Sequence, residues 1–359
     1  MAPIDAPPGN EEARRRAVRS ALDDAGLAEY GPGIEANAVA LSARRAARAC
    51  IAAERDTFAI DTPVHFAFGA TMAFNAFAHR TSADVIFVNI GTVVALWNAV
   101  NYLLADPAFL PFIKGGGEKP PPPPPAGMSF LEFCTTRPTR PPIQDARDGL
   151  AKHLFAGTQL FVVTHALTHL FGGHVGVLHE NHPGRPYAEV HGKAGARAEA
   201  PLAHAMEYEA DIFGCIRGLI HARESGIFAP FDPYLRMAPM VFPFIAAYLF
   251  FRLLDQRYAL DGLEIGNHPL APIRQRYLAA AIPRYAGRLG LAALSGAEWA
   301  GLQSLAVREV EAAFGRFADP GFSSAGTGAG TASLPAALED LAERAQGLGR
   351  GTFRELFLP

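Results

Sequence analysis

Residues 161–174 read Phe161-Val-Val-Thr-His165-Ala-Leu-Thr-His169-Leu-Phe-Gly-Gly-His174, and they predict a buried helix with two histidines on one face. Residues four positions apart lie about 40° apart around a helix axis, one turn above the other. Both imidazoles can therefore reach one metal ion. The apolar neighbours favour a place in the core, and the two glycines are expected to weaken or end the helix.

This spacing of two histidines is weak evidence when it stands alone, because the chain has 12 histidines. Two core histidines that bond to carbonyl groups or to each other remain an alternative. Support comes from the segment Met206-Glu207-Tyr208-Glu209-Ala210-Asp211, in which Glu207 and Asp211 share a helix face. Glu207 can be a third ligand, and Asp211 can accept the second ring N–H of a ligand histidine and fix its tautomer. Glu209 lies off that face and is expected to be solvated.

The order His165-x-x-x-His169 and then Glu207-x-x-x-Asp211 resembles the gluzincin zinc metallopeptidases with an His-Glu-x-x-His and Glu-x-x-x-Asp pattern. These include the type 1 CAAX prenyl protease and heat-shock membrane protease families and the phage-exclusion Lit-type peptidases. Two weaker likenesses keep the family's order along residues 57–285. Segments 75–78 and 84–91 are similar to a strand pair and helix that precede the zinc helix, and Asn267-His268-Pro269 with Arg274 is similar to a later segment.

The resemblance implies a zincin-like core and one Zn²⁺ held by His165, His169 and Glu207, with Asp211 behind the ligands. It also implies hydrolysis of peptide bonds in a protein or peptide substrate. His268 would either polarise a substrate carbonyl or bond only to the backbone of its own turn. Arg274 is expected to be structural and paired with Asp211 or another buried carboxylate.

Ala166 stands where the family has its catalytic glutamate. That glutamate is the general base, and such a base contributes roughly 10²–10⁴ in rate, which alanine cannot supply. Three interpretations stay open. The chain is a natural pseudo-enzyme that binds zinc and a protein partner, a carboxylate such as Glu180 or Glu209 substitutes although neither has the right helical phase, or the alanine was introduced into an active peptidase.

The histidines that follow His165 and His169 suggest a second metal site, but no carboxylate lies at a regular spacing from them. We therefore expect them to line a polar cleft and a flap at residues 182–201. They are His174, His179, His182, His191 and His204.

Composition indicates a globular protein, since 50% of the residues are hydrophobic and 19% are charged. A net charge of −3 gives no reason to expect a nucleic acid as partner. The three cysteines do not suggest a disulfide framework, and residues 1–10 have no apolar signal core, so a cytoplasmic location is expected. Residues 85–105 contain three asparagines and residues 237–251 are too short, so we expect no membrane span.

The overall pattern predicts a mostly helical α+β protein with a small sheet and a long zinc-binding helix at 145–171. We divide the chain into a helical region 1–56, a zincin-like domain 57–290 and a helical region 291–359 with a linker at 321–332. The Gly/Pro-rich segment 114–128 is expected to be an exposed insertion, either a stiff spacer or a docking site for a proline-recognising partner. Strands are expected within 57–68 and 84–90. Further helices are expected at roughly 202–224, 234–258, 270–287, 296–317 and 334–347.

Overall fold

The computed structural model describes residues 9–31, 37–115, 119–136, 144–181, 186–188, 200–226, 228–231, 237–260, 271–288, 294–317, 334–345 and 348. These residues form a mostly helical α+β structure, as predicted. The helices are α1 (Gly9–Asp24), α2 (Ala38–Thr57), α3 (Ile90–Ala105), α4 (Phe130–Thr136), α5 (Asp145–Phe171), α6 (His174–Asn181), α7 (Ala200–Ser225), α8 (Ala238–Leu260), α9 (Ala271–Arg288), α10 (Gly296–Arg316) and α11 (Leu334–Arg344). The strands are β1 (Val64–Gly69), β2 (Ala76–Arg80), β3 (Asp84–Asn89) and β4 (Tyr187–Ala188).

The sheet has the order β1-β3-β2-β4, with β1 parallel to β3 and β2 antiparallel to both of its neighbours. Strand β3 is buried along its whole length, and alternate side chains point to opposite faces. Val85 and Phe87 join a small apolar cluster with α1, whereas Ile86 and Val88 join the large helical core. The sheet is therefore covered by α1 on one face and by the helices on the other.

Helix α5 lies at the centre of the helical layer and contacts α2, α3, α7 and α8. Its described bounds match the predicted helix 145–171, and Gly172 caps its C-terminus. Apolar side chains from α2, α10 and α11 join the same core as α5. The division at residues 56 and 290 and the zincin-like nature of the core stay predictions.

Several local expectations differ from the structure. Residues up to Thr57 continue α2, so the first strand begins only at Val64, and residues 76–80 form a strand of their own. In the proline run, Pro124 is buried and the Tyr102 hydroxyl donates to the Pro122 carbonyl, while most of the other prolines are exposed. A partner for this run stays a prediction. The linker at 321–332, most of the flap and His268 lie outside the described residues.

Two described helices, Asp145–Phe171 and Ala238–Arg257, are long and apolar enough to cross a membrane. In each case most of the apolar window, 83% and 94% respectively, is buried inside the protein, as in the core helix of a soluble protein. Residues 85–105 instead form β3 and the helix that follows it directly. The cytoplasmic location stays a prediction.

Candidate metal centre

Helices α5 and α7 pack together and bring the predicted ligands into one buried cluster. His165 Nε2 and His169 Nε2 lie 2.9 Å apart. The Glu207 carboxylate oxygens lie 3.6 Å from His165 Nε2 and 3.8 Å from His169 Nε2. None of these three side chains is more than 1% exposed. Together they form a group that can hold a metal ion.

Asp211 occupies the position that the sequence predicted for it, one turn beyond Glu207. Its Oδ1 lies 3.1 Å from His165 Nδ1, on the side of the ring opposite the ligand nitrogen. The Arg274 guanidinium donates to both Asp211 oxygens, over 2.8 Å from Nε and 2.6 Å from Nη2. The predicted pairing of Arg274 with Asp211 is confirmed. Asp211 is thus fixed between a ligand histidine and a buried cation.

A second chain of contacts supports His169, and the sequence analysis missed it. His169 Nδ1 lies 2.9 Å from His174 Nδ1, and His174 Nε2 lies 3.0 Å from Glu209 Oε2. The expectation that Glu209 is solvated is wrong, because the residue is only 4% exposed. Burial of this carboxylate is explained by its imidazole partner, since buried carboxylates need a hydrogen-bond donor or a counter-ion.

The two glycines after α5 let His174 fold back onto the cluster. Gly173 has a φ of +84°, which residues with a side chain rarely adopt. A Cβ added to Gly172 would lie 2.7 Å from the Thr168 carbonyl oxygen and 3.0 Å from His174 Nε2. Glycine is therefore required at both positions for the chain to turn here. The Gly-Gly-His sequence was the signal for this third imidazole.

These contacts are compatible with one arrangement of the ring protons. If Asp211 and Glu209 are ionised, protons on His165 Nδ1 and His174 Nε2 would face carboxylates, which only accept. In that arrangement His174 Nδ1 accepts from His169 Nδ1, and both ligand rings have an unprotonated Nε2. Two lone pairs facing each other at 2.9 Å repel unless a cation, either a metal ion or an extra proton, lies between them.

Glu207 is held by two further groups. The Tyr187 hydroxyl donates to Glu207 Oε1 over 2.8 Å, and the Tyr187 ring stacks on His169 with the ring centroids 3.8 Å apart. Arg274 Nη2 lies 3.1 Å from Glu207 Oε2. Tyr187 comes from β4, a two-residue strand whose position depends on its pairing with β2, so no local pattern in the sequence indicated it.

The formal charges of this cluster also suit a divalent cation. Glu207, Glu209 and Asp211 contribute three negative charges when ionised, and Arg274 contributes one positive charge. With neutral imidazoles, the formal charges of these four residues sum to −2. A divalent metal ion bound by the histidines and Glu207 would bring that sum to zero, and buried charge is less costly when it is balanced.

Ala166 is 1% exposed and belongs to the hydrophobic core. Of the two carboxylates considered as substitutes for a base here, Glu180 lies at the surface and pairs with Arg344 at 2.9 Å. Glu209 belongs to the cluster, but its contact is with the imidazole behind His169. Neither is placed beside Ala166 by these contacts.

The described histidines that follow His165 and His169 lie in different surroundings. His174 joins the cluster, whereas His179 lies against His79 with the ring centroids 5.8 Å apart. His204 lies on α7, partly buried. His182, His191 and His268 fall outside the described residues, and the second-site alternative stays untested.

Comparison with protein-family models, with curated proteins and with solved structures found no match. Function is therefore inferred from the cluster itself.

Proposed function

We propose that the protein binds one Zn²⁺ through His165, His169 and Glu207, in a centre of the metallopeptidase type whose hydrolytic step is lost or strongly impaired at Ala166. The observation that carries this proposal is the 2.9 Å separation of His165 Nε2 and His169 Nε2 beside the buried Glu207 carboxylate. A third donor at 3.6 Å and 3.8 Å makes a metal ion a better occupant than a proton.

The donor set favours zinc over the hard cations. Imidazole and carboxylate together suit Zn²⁺, whereas Ca²⁺ and Mg²⁺ prefer oxygen ligands alone. Three protein ligands on two helices leave a fourth position for water or substrate, as in catalytic zinc sites. The contacts behind the ligands, Asp211 to His165 and His174 to His169, orient both rings in the way such sites require.

Zinc in such a site supplies a Lewis acid that polarises a carbonyl oxygen and makes water more acidic. The chain supplies the rest. Arg274 and Tyr187 hold the Glu207 carboxylate, and Asp211 and Glu209, when ionised, favour the tautomers that leave Nε2 of both rings available to a metal ion. A water that attacks a peptide carbonyl must lose a proton, and Ala166 offers no atom to accept it.

A second candidate is a zinc-binding protein without chemistry, which acts as a binding or regulatory protein. Two observations favour it, namely the missing base at Ala166 and the complete burial of His165 and Glu207. A buried zinc ion without a neighbouring base can stabilise the fold or a binding surface without catalysing a reaction.

Replacing Ala166 with glutamate distinguishes these candidates. If the centre is hydrolytic, Ala166→Glu should cleave an unfolded protein substrate such as casein roughly 10²–10⁴ times faster than the parent, because the general base is restored. The matched control is Ala166→Gln, which has the same shape and no base, and Ala166→Glu combined with Glu207→Gln should be inactive. Equal rates for the Glu and Gln variants, both folded and both loaded with zinc, would contradict hydrolysis and support the binding protein.

A further inference from the structure

Beyond the metal cluster, helices α5 and α7 border a cavity of about 330 Å³. On α7, Gly214, Gly218 and Ala222 follow Glu207 and Asp211 at helical spacing, so the same face changes from ligands to small residues. Alanines of α2 and small residues of α5 form the opposite walls. The lining includes Ala46, Ala49, Ala53, Ala156 and Gly157.

The cavity is separated from the metal cluster by the Phe161 side chain and the Gly214 backbone. A Cβ added to Gly214 would lie 3.2 Å from the Phe161 ring and 3.3 Å from the His165 backbone nitrogen. There is thus no room between these two elements. The cavity is a separate site that ends behind the metal-binding helix.

The walls are almost entirely apolar. Apart from His221 and Ser225, the polar atoms among the lining side chains are the thiols of Cys50 and Cys215. Burial raises the pKa of both thiols well above the ordinary value, so they are neutral and contribute apolar surface. Pockets of about this volume with apolar walls and few polar groups are typical of small-molecule sites.

One end of the cavity reaches the surface. Ala46, Ala49 and Ser225 are exposed, and Ala156, Gly157 and Leu160 are half-buried, whereas the floor at Phe161, Gly214 and Gly218 is buried. His221, whose side chain is 23% exposed, is fixed by a contact of 2.7 Å between its Nε2 and Glu54. Glu54 is in turn paired with Arg217 at 2.7 Å, so it is already neutralised. Cys50, Glu54 and His221 can also form a metal group, but the Arg217 pair opposes a second cation there.

The length and the lining suit an alkyl chain. The lining on α7 runs from Gly214 to Ser225, which is about 16 Å along a helix that rises 1.5 Å per residue. Small apolar side chains line that length, so an extended methylene chain can lie along it and remove its CH₂ groups from water.

We propose that this cavity binds the hydrocarbon chain of a single-chain aliphatic amphiphile, such as a fatty acid, with the polar head at the surface beside His221. The proposal does not depend on the metal centre, because the two sites share no lining side chain with a ligand role. Left unfilled, an apolar cavity of this volume would forfeit dispersion contacts that a chain restores.

The test is displacement of the fluorescent fatty acid cis-parinaric acid from the full chain by saturated acids from hexanoic to tetradecanoic, all below their micellar concentrations. Each added methylene should tighten binding roughly four-fold, as expected from the burial of one CH₂, until the cavity is full and the affinity levels off. Treating the parent with a chelator should leave its affinity for the same acids unchanged, which separates this site from the metal centre.

Gly218→Leu should fill the cavity and weaken binding at least ten-fold. A Cβ at Gly218 has only one neighbour within 4 Å, the Pro243 Cβ at 3.9 Å, so the new side chain extends into free space. The matched control is Gly301→Leu on α10, where a Cβ meets no atom within 4 Å and the residue is exposed. Absence of saturable binding to the parent would overturn the proposal. Equal binding by the two leucine variants would overturn it as well.

Discussion

Replacing Arg274 with glutamine should lower the free energy of unfolding by about 3–5 kcal/mol, the cost of leaving buried charge without its partner. Arg274 is 1% exposed and donates to both oxygens of Asp211. It also lies 3.1 Å from Glu207 and 4.4 Å above the ring of Phe251. Glutamine can replace one hydrogen bond, but it supplies no positive charge to either carboxylate.

The control variant is Arg308→Gln, and the free energy of unfolding of both variants is measured by urea denaturation. Arg308 pairs with Glu309 at 3.3 Å, but its side chain is 70% exposed, so its loss should cost less than about 1 kcal/mol. Arg274→Lys should be intermediate, because lysine keeps the charge and loses the two-pronged geometry. If Arg274→Gln were as stable as Arg308→Gln, the buried charge cluster described here would be wrong.

Zinc should stabilise the folded protein by about 4 kcal/mol when its free concentration is 1,000 times the dissociation constant. For a chain of this size that corresponds to a rise in Tm of roughly 5 °C. The reason is linkage, since His165, His169 and Glu207 are brought together only in the folded state. The measurement is differential scanning calorimetry after chelator treatment, with and without added zinc.

His169→Gln should lose this zinc-dependent rise. The control is His153→Gln on the same helix, because His153 packs against Phe228 and Phe231 and has no place in the metal cluster. If the zinc-dependent rise in Tm persisted in His169→Gln, the bound zinc would lie at another site. A rise absent from the parent would remove the thermodynamic support for the centre.

The sequence was informative where the signal was local. The spacing of His165, His169, Glu207 and Asp211 is a property of two helices, and helical phase alone predicts which side chains share a face. The helix 145–171 was recognised from its apolar run and its terminal glycines. The structure brings both pairs into one cluster through the packing of α5 against α7, which phase alone does not predict.

The contacts that the sequence did not predict depend on long-range packing. Glu209 lies off the face of α7 that carries Glu207 and Asp211. Its partner His174 reaches it only because the chain turns at Gly172 and Gly173. Tyr187 reaches the cluster through a strand of two residues that pairs with β2. Residue patterns report periodicity, whereas these contacts are created by the path of the chain between elements.

Elemental analysis of the purified protein, prepared without chelator, tests the metal centre most directly. We expect about one zinc per chain in the parent, as for a site with three protein ligands, and in the His153→Gln control. Glu207→Gln, which keeps the volume of the side chain and removes its charge, should contain little zinc. A parent without metal, or zinc retained in full by Glu207→Gln, would contradict the centre and leave His165 and His169 as core histidines that share a proton.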